Sequence, residues 1–196
     1  MASDGERALW AFEEAVEGVL AFVKAAEYGL RLATKRIADL VNQPAAPAGR
    51  LGPELESIRS ALAVAPDGLT DLAVLALGDH FRAFLARALG LEHLPVLPDT
   101  PAGVEDLAGT PGALSRSPFW VTLLLQMYRA ALKRGALDRQ ALEALGGSGF
   151  ELRYPGGKIK LVTEGDRVTL TEGQIEEMAQ ALVEAARAVH LRLLTA

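Results

Sequence analysis

Arg129-Ala130-Ala131-Leu132-Lys133-Arg134-Gly135 sets two guanidinium groups and an ammonium at the end of an apolar helix. Such groups donate charge-assisted hydrogen bonds to phosphate oxygens, and arginine does so as a planar fork. A guanidinium stays protonated at all working pH values, so neither arginine can act as a general acid or base. The pattern predicts phosphate binding without proton transfer. Arg139, Arg153, Lys158 and Lys160 extend the basic run, with Tyr128 and Tyr154 among them, a composition that fits an RNA-contact patch. A plainer reading fits the same residues. Lys133 and Arg134 lie in the last turn of a helix stopped by Gly135, where each cation complements the helix dipole by about 0.3–1 kcal/mol.

Histidine is the commonest proton carrier near neutral pH, and the chain has three. Arg87 and His93 lie six residues apart across Gly90. His80 lies seven residues before Arg87, on the same helix flank. His190 sits on the shoulder of the last helix's apolar face. These histidines never take a metal-ligand spacing, and the chain has no cysteine, so no metal site and no disulfide is expected. Glu13, Glu14 and Glu17 make an acidic face, but no Glu-x-x-His accompanies them, which argues against a di-iron carboxylate bundle. Gly146-Gly147 follows a helix and Gly156-Gly157 lies inside a hairpin. Neither is a phosphate loop preceding a helix, and no cofactor is expected.

Those residues need a scaffold. With 196 residues, half of them hydrophobic, the chain reads as a single domain spanning 1–196 with a real core. A net charge of −5 argues against a general nucleic-acid coat but leaves room for a local basic patch. The N-terminus lacks the basic and apolar segments of a signal peptide, and the run Phe119 to Leu132 is too short to span a bilayer. The expectation is a cytoplasmic protein without membrane contact.

Periodicity predicts mainly α structure: an up-and-down helical bundle of four longer helices, one or two short ones, and a small β-hairpin near residues 151–170. The first helix starts at Ser3 or Asp4. Its apolar positions Leu9, Phe12, Val16, Val19, Val23, Ala26, Leu30, Ala33, Ile37 and Leu40 alternate steps of three and four, as in a coiled-coil seam. That seam serves an antiparallel bundle or a homodimer. Residues 43–52 read as a loop. A short helix follows from Pro53 to Val64, then a turn at Ala65-Pro66-Asp67-Gly68, then a helix capped by Thr70 and ended by Gly90. Residues 94–116 form a second loop with about one helical turn near Val104 to Leu107. Ser117-Pro118 opens the most buried helix, and a short helix is expected from Asp138 to Leu145. Glu151–Tyr154 and Lys158–Val162 alternate polar and apolar residues around Pro155-Gly156-Gly157. Thr171-Glu172-Gly173-Gln174 is a capping box for the last helix.

Three features together resemble the HEPN superfamily, helical-bundle domains of prokaryotic toxin–antitoxin and antiviral systems. They are Ser117-Pro118-Phe119-Trp120 leading to Tyr128-Arg129, the run Arg129 to Gly135, and Gly165 to Thr171 before a long amphipathic helix. The likeness covers about the C-terminal two fifths of the chain. It implies a homodimer whose cleft pairs an arginine with a histidine in metal-independent RNA cleavage. Here Arg134 stands in the histidine position of the Arg-x4-His motif and Ala130 replaces a common polar residue, so the motif is degenerate. The resemblance implies a domain that binds RNA, a nucleotide or a protein partner in a defence or toxin–antitoxin setting. Arg129, Lys133, Arg134 and Arg139 are then the phosphate-binding residues. A working metal-independent endoribonuclease, for which the resemblance implies Arg87 or Arg129 with His93 as the catalytic pair, and a purely structural interaction module are the alternatives.

Overall fold

The computed structural model describes residues 3–41, 52–114, 118–133, 137, 151–154, 156–162 and 167–195. Five helices carry the described fold: α1 (Asp4–Val41), α2 (Gly52–Ala88), α3 (Pro101–Ala108), α4 (Pro118–Lys133) and α5 (Glu172–Thr195). Between α4 and α5 lie β1 (Glu151–Tyr154), β2 (Gly157–Val162) and β3 (Arg167–Val168), a three-stranded antiparallel sheet in the order β1-β2-β3. Leu152 pairs with Ile159 and Leu161 with Val168. The two-residue alternation puts Leu152 and Ile159 into the core. The protein is a mainly α helical bundle.

α1 and α2 pair antiparallel as one layer, α5 packs on both of them, and α4 packs on α2 and α5. Phe12 near the start of α1 meets Phe81 and Phe84 near the end of α2, with ring centroids 5.9 and 5.5 Å apart. The same core holds Val16, Val19, Leu77 and Leu85 of α1 and α2, with Leu124 of α4 and Ile175, Met178 and Leu182 of α5. α4 is the most enclosed helix, as its apolar composition predicts: Val121, Leu123, Leu124, Leu125, Met127 and Tyr128 are all buried. Phe119 stacks on Tyr154 at 5.5 Å, which fastens the sheet to the start of α4.

The caps follow the sequence closely. Ser3 and Glu6 exchange side-chain-to-backbone hydrogen bonds, Ser3 N–H to Glu6 Oε2 at 2.6 Å and Glu6 N–H to Ser3 Oγ at 3.2 Å. Thr171 and Gln174 do the same at the start of α5, at 2.9 and 3.3 Å. Gly90 takes φ +68°, and the Leu91 N–H donates to the Ala86 carbonyl at 2.8 Å, the left-handed helix stop expected there. Within 94–116 the helix is longer than one turn. Thr100 caps it, Pro101 occupies its first turn, and Glu105 accepts from the backbone N–H of Gly112 and Leu114, tying the following loop back onto α3.

One segment departs from the sequence reading. The turn at Ala65-Pro66-Asp67-Gly68 and the cap at Thr70 do not occur; α2 runs unbroken from Gly52 to Ala88 with Pro66 inside it. A turn or cap needs Asp67 and Thr70 to bond their own backbone. Both side chains are engaged elsewhere. Thr70 is fully buried, its Oγ1 accepts from the Leu170 N–H at 3.1 Å and donates to the Leu170 carbonyl at 3.4 Å, and Asp67 accepts from the Thr169 hydroxyl. These bonds pin the segment after β3 onto α2. Pro66 still deprives the helix of one N–H, and its ring stays exposed. The short helix expected over 138–145 lies outside the described residues.

The first-helix seam divides in two. Phe12, Val16, Val19 and Val23 are buried within the chain, whereas Ala26, Leu30, Ala33 and Ile37 are half-buried. Residues Glu56–Ala88 of α2 are also long and apolar enough, by length and composition, to cross a membrane. Toward the C-terminal end, α2 places Ala73, Val74, Leu77, Phe81, Phe84 and Leu85 in the core.

Candidate functional site

α4 carries the arginine of the candidate motif out of the core at its C-terminal end. Tyr128 is buried, and the next residue, Arg129, is exposed. Tyr128 reaches across to α2, where its hydroxyl donates to Asp79 Oδ1 at 2.7 Å. The approach is possible only because residue 78 is glycine: a Cβ there would lie 2.2 Å from the Tyr128 ring. Burial, then the hydrogen bond to Asp79, raises the Tyr128 phenol from its usual 10 to about 12, so it is a fixed donor at any working pH. Arg82 completes the group by bonding Asp79 at 2.9 Å.

Arg129 is held in the same manner. Its guanidinium forms an ion pair with Asp99 from the loop before α3, and Gln126 one turn earlier donates to the Asp99 backbone carbonyl at 2.7 Å. The loop is thereby latched to α4. Of the phosphate-binding residues expected from sequence, Arg129 is ion-paired, and Lys133 is exposed in the last turn of α4. Arg134 and Arg139 lie outside the described residues. Each described arginine of this surface has a carboxylate on it, Arg82 with Asp79 and Arg129 with Asp99. Lys133 makes no ion pair here with another of the described residues.

The histidines do not join it. His80, Arg87 and His93 are exposed, and no side-chain hydrogen bond or ion pair links Arg87 to His93. Helical geometry sets His80 and Arg87 on the flank of α2 away from Asp79 and Arg82. His190 is buried under the first turn of α1, where a Cβ on Gly5 would sit 2.9 Å from its ring. Among the described residues no group of His, Cys, Asp and Glu could hold a metal ion.

No family model, curated protein or solved structure matches the chain. The site must be read from its own chemistry.

The structure adds a second concavity that sequence reasoning missed. A groove of about 570 Å³ opens between the half-buried part of α1, the first half of α2 and the start of α5. Leu30, Leu62, Leu69 and Ile175 supply apolar walls. At its polar side Arg31 stands 3.7 Å from Glu27 and 3.5 Å from Glu172. Burial, then a hydrogen bond with Glu172, raises the Glu27 carboxyl above its ordinary range, while Arg31 opposes the shift. Lys24 and Glu176 make a neighbouring α1–α5 ion pair at 3.5 Å. No motif announces this pair of carboxylates, because Glu27 and Glu172 meet only through packing of the first helix on the last. A further cleft of about 690 Å³ lies between Gly112–Leu114 and the end of α5, with Arg187 at its edge bonded to Glu13 at 2.7 Å.

Proposed function

We propose that the protein is a catalytically silent, HEPN-like helical domain that acts by binding a protein partner and does not cut RNA. The observation that carries this reading is the ion pair between Arg129 and Asp99. An arginine that stabilises charge on a reacting phosphate must present free N–H groups to it, and a partner group must move a proton. Here the guanidinium faces a carboxylate from its own chain, and Arg134 replaces the proton carrier. Arg129 and Tyr128 act as braces that fasten a loop and a helix to α4. The carboxylates on Arg82 and Arg129, within a chain of net charge −5, favour a protein over RNA as the ligand.

A second reading has one observation in its favour. Lys133 is exposed at the helix end, next in sequence to Arg134. RNA contact there would be weak and would fall steeply with salt.

The test is incubation of the purified protein with labelled single-stranded RNA in the presence of a chelator. Intact RNA is the expected outcome. Metal-independent cleavage that disappears in His93→Ala would overturn the reading and promote the nuclease.

A further inference from the structure

We propose that the outward face of the α1–α2 layer is the contact surface for a second copy of this chain, with the two α1 helices packed antiparallel. The inference is independent of the reading of Arg129. Besides the inner seam that faces the core, α1 carries a second one. Gly18, Phe22, Ala25, Gly29 and Leu32 recur at steps of three and four, and every one of them is exposed. On α2, Ile58, Ala61, Gly68 and Leu72 share one flank at steps of three, seven and four, and all are exposed. With about 3.6 residues per turn and the two helices antiparallel, both stripes emerge on the side of the layer away from α5. The result is one apolar face two helices wide, carrying Phe22, Leu32, Ile58 and Leu72 at exposures of 54, 50, 48 and 57%.

The glycines are the second observation. Within a helix a glycine is less stable than an alanine, so it calls for a packing reason. Gly5 and Gly78 have one inside the chain, since a Cβ on either would strike His190 or Tyr128. Gly18, Gly29 and Gly68 have none: a Cβ there meets nothing within 4 Å. All three fall on the uncovered face. Small residues on a helix surface let another backbone approach closely, and these give that room where no described element of the chain uses it.

Charge selects a second copy as the occupant. Along this face of α1 the apolar stretch is bracketed by Glu14 at one end and Arg36 at the other. A two-fold axis through Ala25 sets Glu14 of one copy against Arg36 of the next, and Phe22 against Tyr28, with Gly18 facing Leu32. From the helical rise and interaxial spacing, the face measures about 20 by 20 Å. With its rim, two copies bury on the order of 1,000 Å², the lower bound for a specific interface. The dimer is therefore weak and reversible.

Sedimentation of the full chain, from about 1 to about 100 µM, covers the range expected of so small an interface. The wild type should pass from monomer to dimer. Ala25→Glu, which sets two carboxylates face to face on the axis, should weaken association by at least about tenfold. Its far-ultraviolet circular dichroism should stay unchanged, because Ala25 touches nothing in the core. Glu14→Arg and Arg36→Glu should each weaken the dimer several-fold, and the double variant should restore it. A monomer over the whole range overturns the proposal, as does a double variant no better than the single ones. Uptake of a monomeric wild type by phosphatidylcholine vesicles, lost in Ala25→Glu, overturns it in favour of a membrane surface.

Discussion

The two faces of the α1–α2 layer follow the same spacing rule and end in opposite states. The inner face, with Phe12, Val16, Val19 and Val23 against Leu77, Phe81 and Phe84, is buried. The outer face, with Phe22 and Leu32 beside Ile58 and Leu72, is open. A step of three and four residues makes a stripe on a helix; it does not say what covers that stripe. What distinguishes the faces is residue size. Large aromatics fill the inner one, while glycines and alanines recur on the outer one and leave room for an approaching surface.

The contrast is broken most strongly at the centre of the inner face. Phe81→Ala removes a ring with no solvent exposure, and denaturant unfolding should show a loss of about 3–5 kcal/mol. Phe22→Ala, measured at concentrations where the chain is monomeric, should stay within about 0.5 kcal/mol. Equal losses at the two positions would mean that the outer face is already covered.

Glycines give the next largest difference. Gly78→Ala drives a methyl into the Tyr128 ring, and overpacking of this kind should cost about 1–3 kcal/mol. Gly68→Ala meets open space and should stabilise the monomer by about 0.4–1 kcal/mol. The sign of the change, read from urea midpoints, separates the two sites. At the start of α5, Thr171→Ala should cost about 0.5–2 kcal/mol by removing one half of the capping box seen with Gln174.

Two titrations give smaller effects. The Tyr128 phenol, raised to about 12 on folding, favours the native state below its unfolded value near 10, and that contribution is lost as the pH climbs toward 12. Tyrosinate absorbance should therefore show one of the three tyrosines ionising about two pH units late, and Asp79→Asn should bring it earlier. Glu27 has the same sign in the carboxylate range. Its raised carboxyl binds a proton more tightly when folded, so its contribution is present below the unfolded value and fades as the pH rises through the folded one. Glu27→Gln should flatten the pH dependence of the thermal midpoint just above the ordinary carboxylate range. An unchanged slope would mean that Glu27 and Glu172 do not share a proton.

Much of the bundle is legible in the sequence because its signals are local. Ser3 with Glu6, Thr171 with Gln174, and Gly90 each act within one turn, and each does what its type and position dictate. The apolar run of α4 marks the most enclosed helix for the same reason. Asp67 and Thr70 were misleading because their hydrogen bonds go to Thr169 and Leu170, about a hundred residues on, and a turn signal weighs only nearby backbone. The candidate site fares similarly. The sequence places Arg129 at a helix end, where it is found, but its charge is balanced by Asp99 in a loop that no spacing rule connects to it. Glu27 and Glu172 are invisible for the same reason.

The most direct test of the account is to set Arg129 free. Fluorescence anisotropy with a short single-stranded RNA at low salt would compare wild type, Asp99→Asn and Arg129→Ala. The account predicts weak binding by wild type, little change in Arg129→Ala, and clearly tighter, salt-sensitive binding in Asp99→Asn, because removal of the carboxylate releases a guanidinium to meet phosphate. Tight binding by the wild type that collapses in Arg129→Ala would contradict it, since the account has Asp99 neutralising the charge of Arg129.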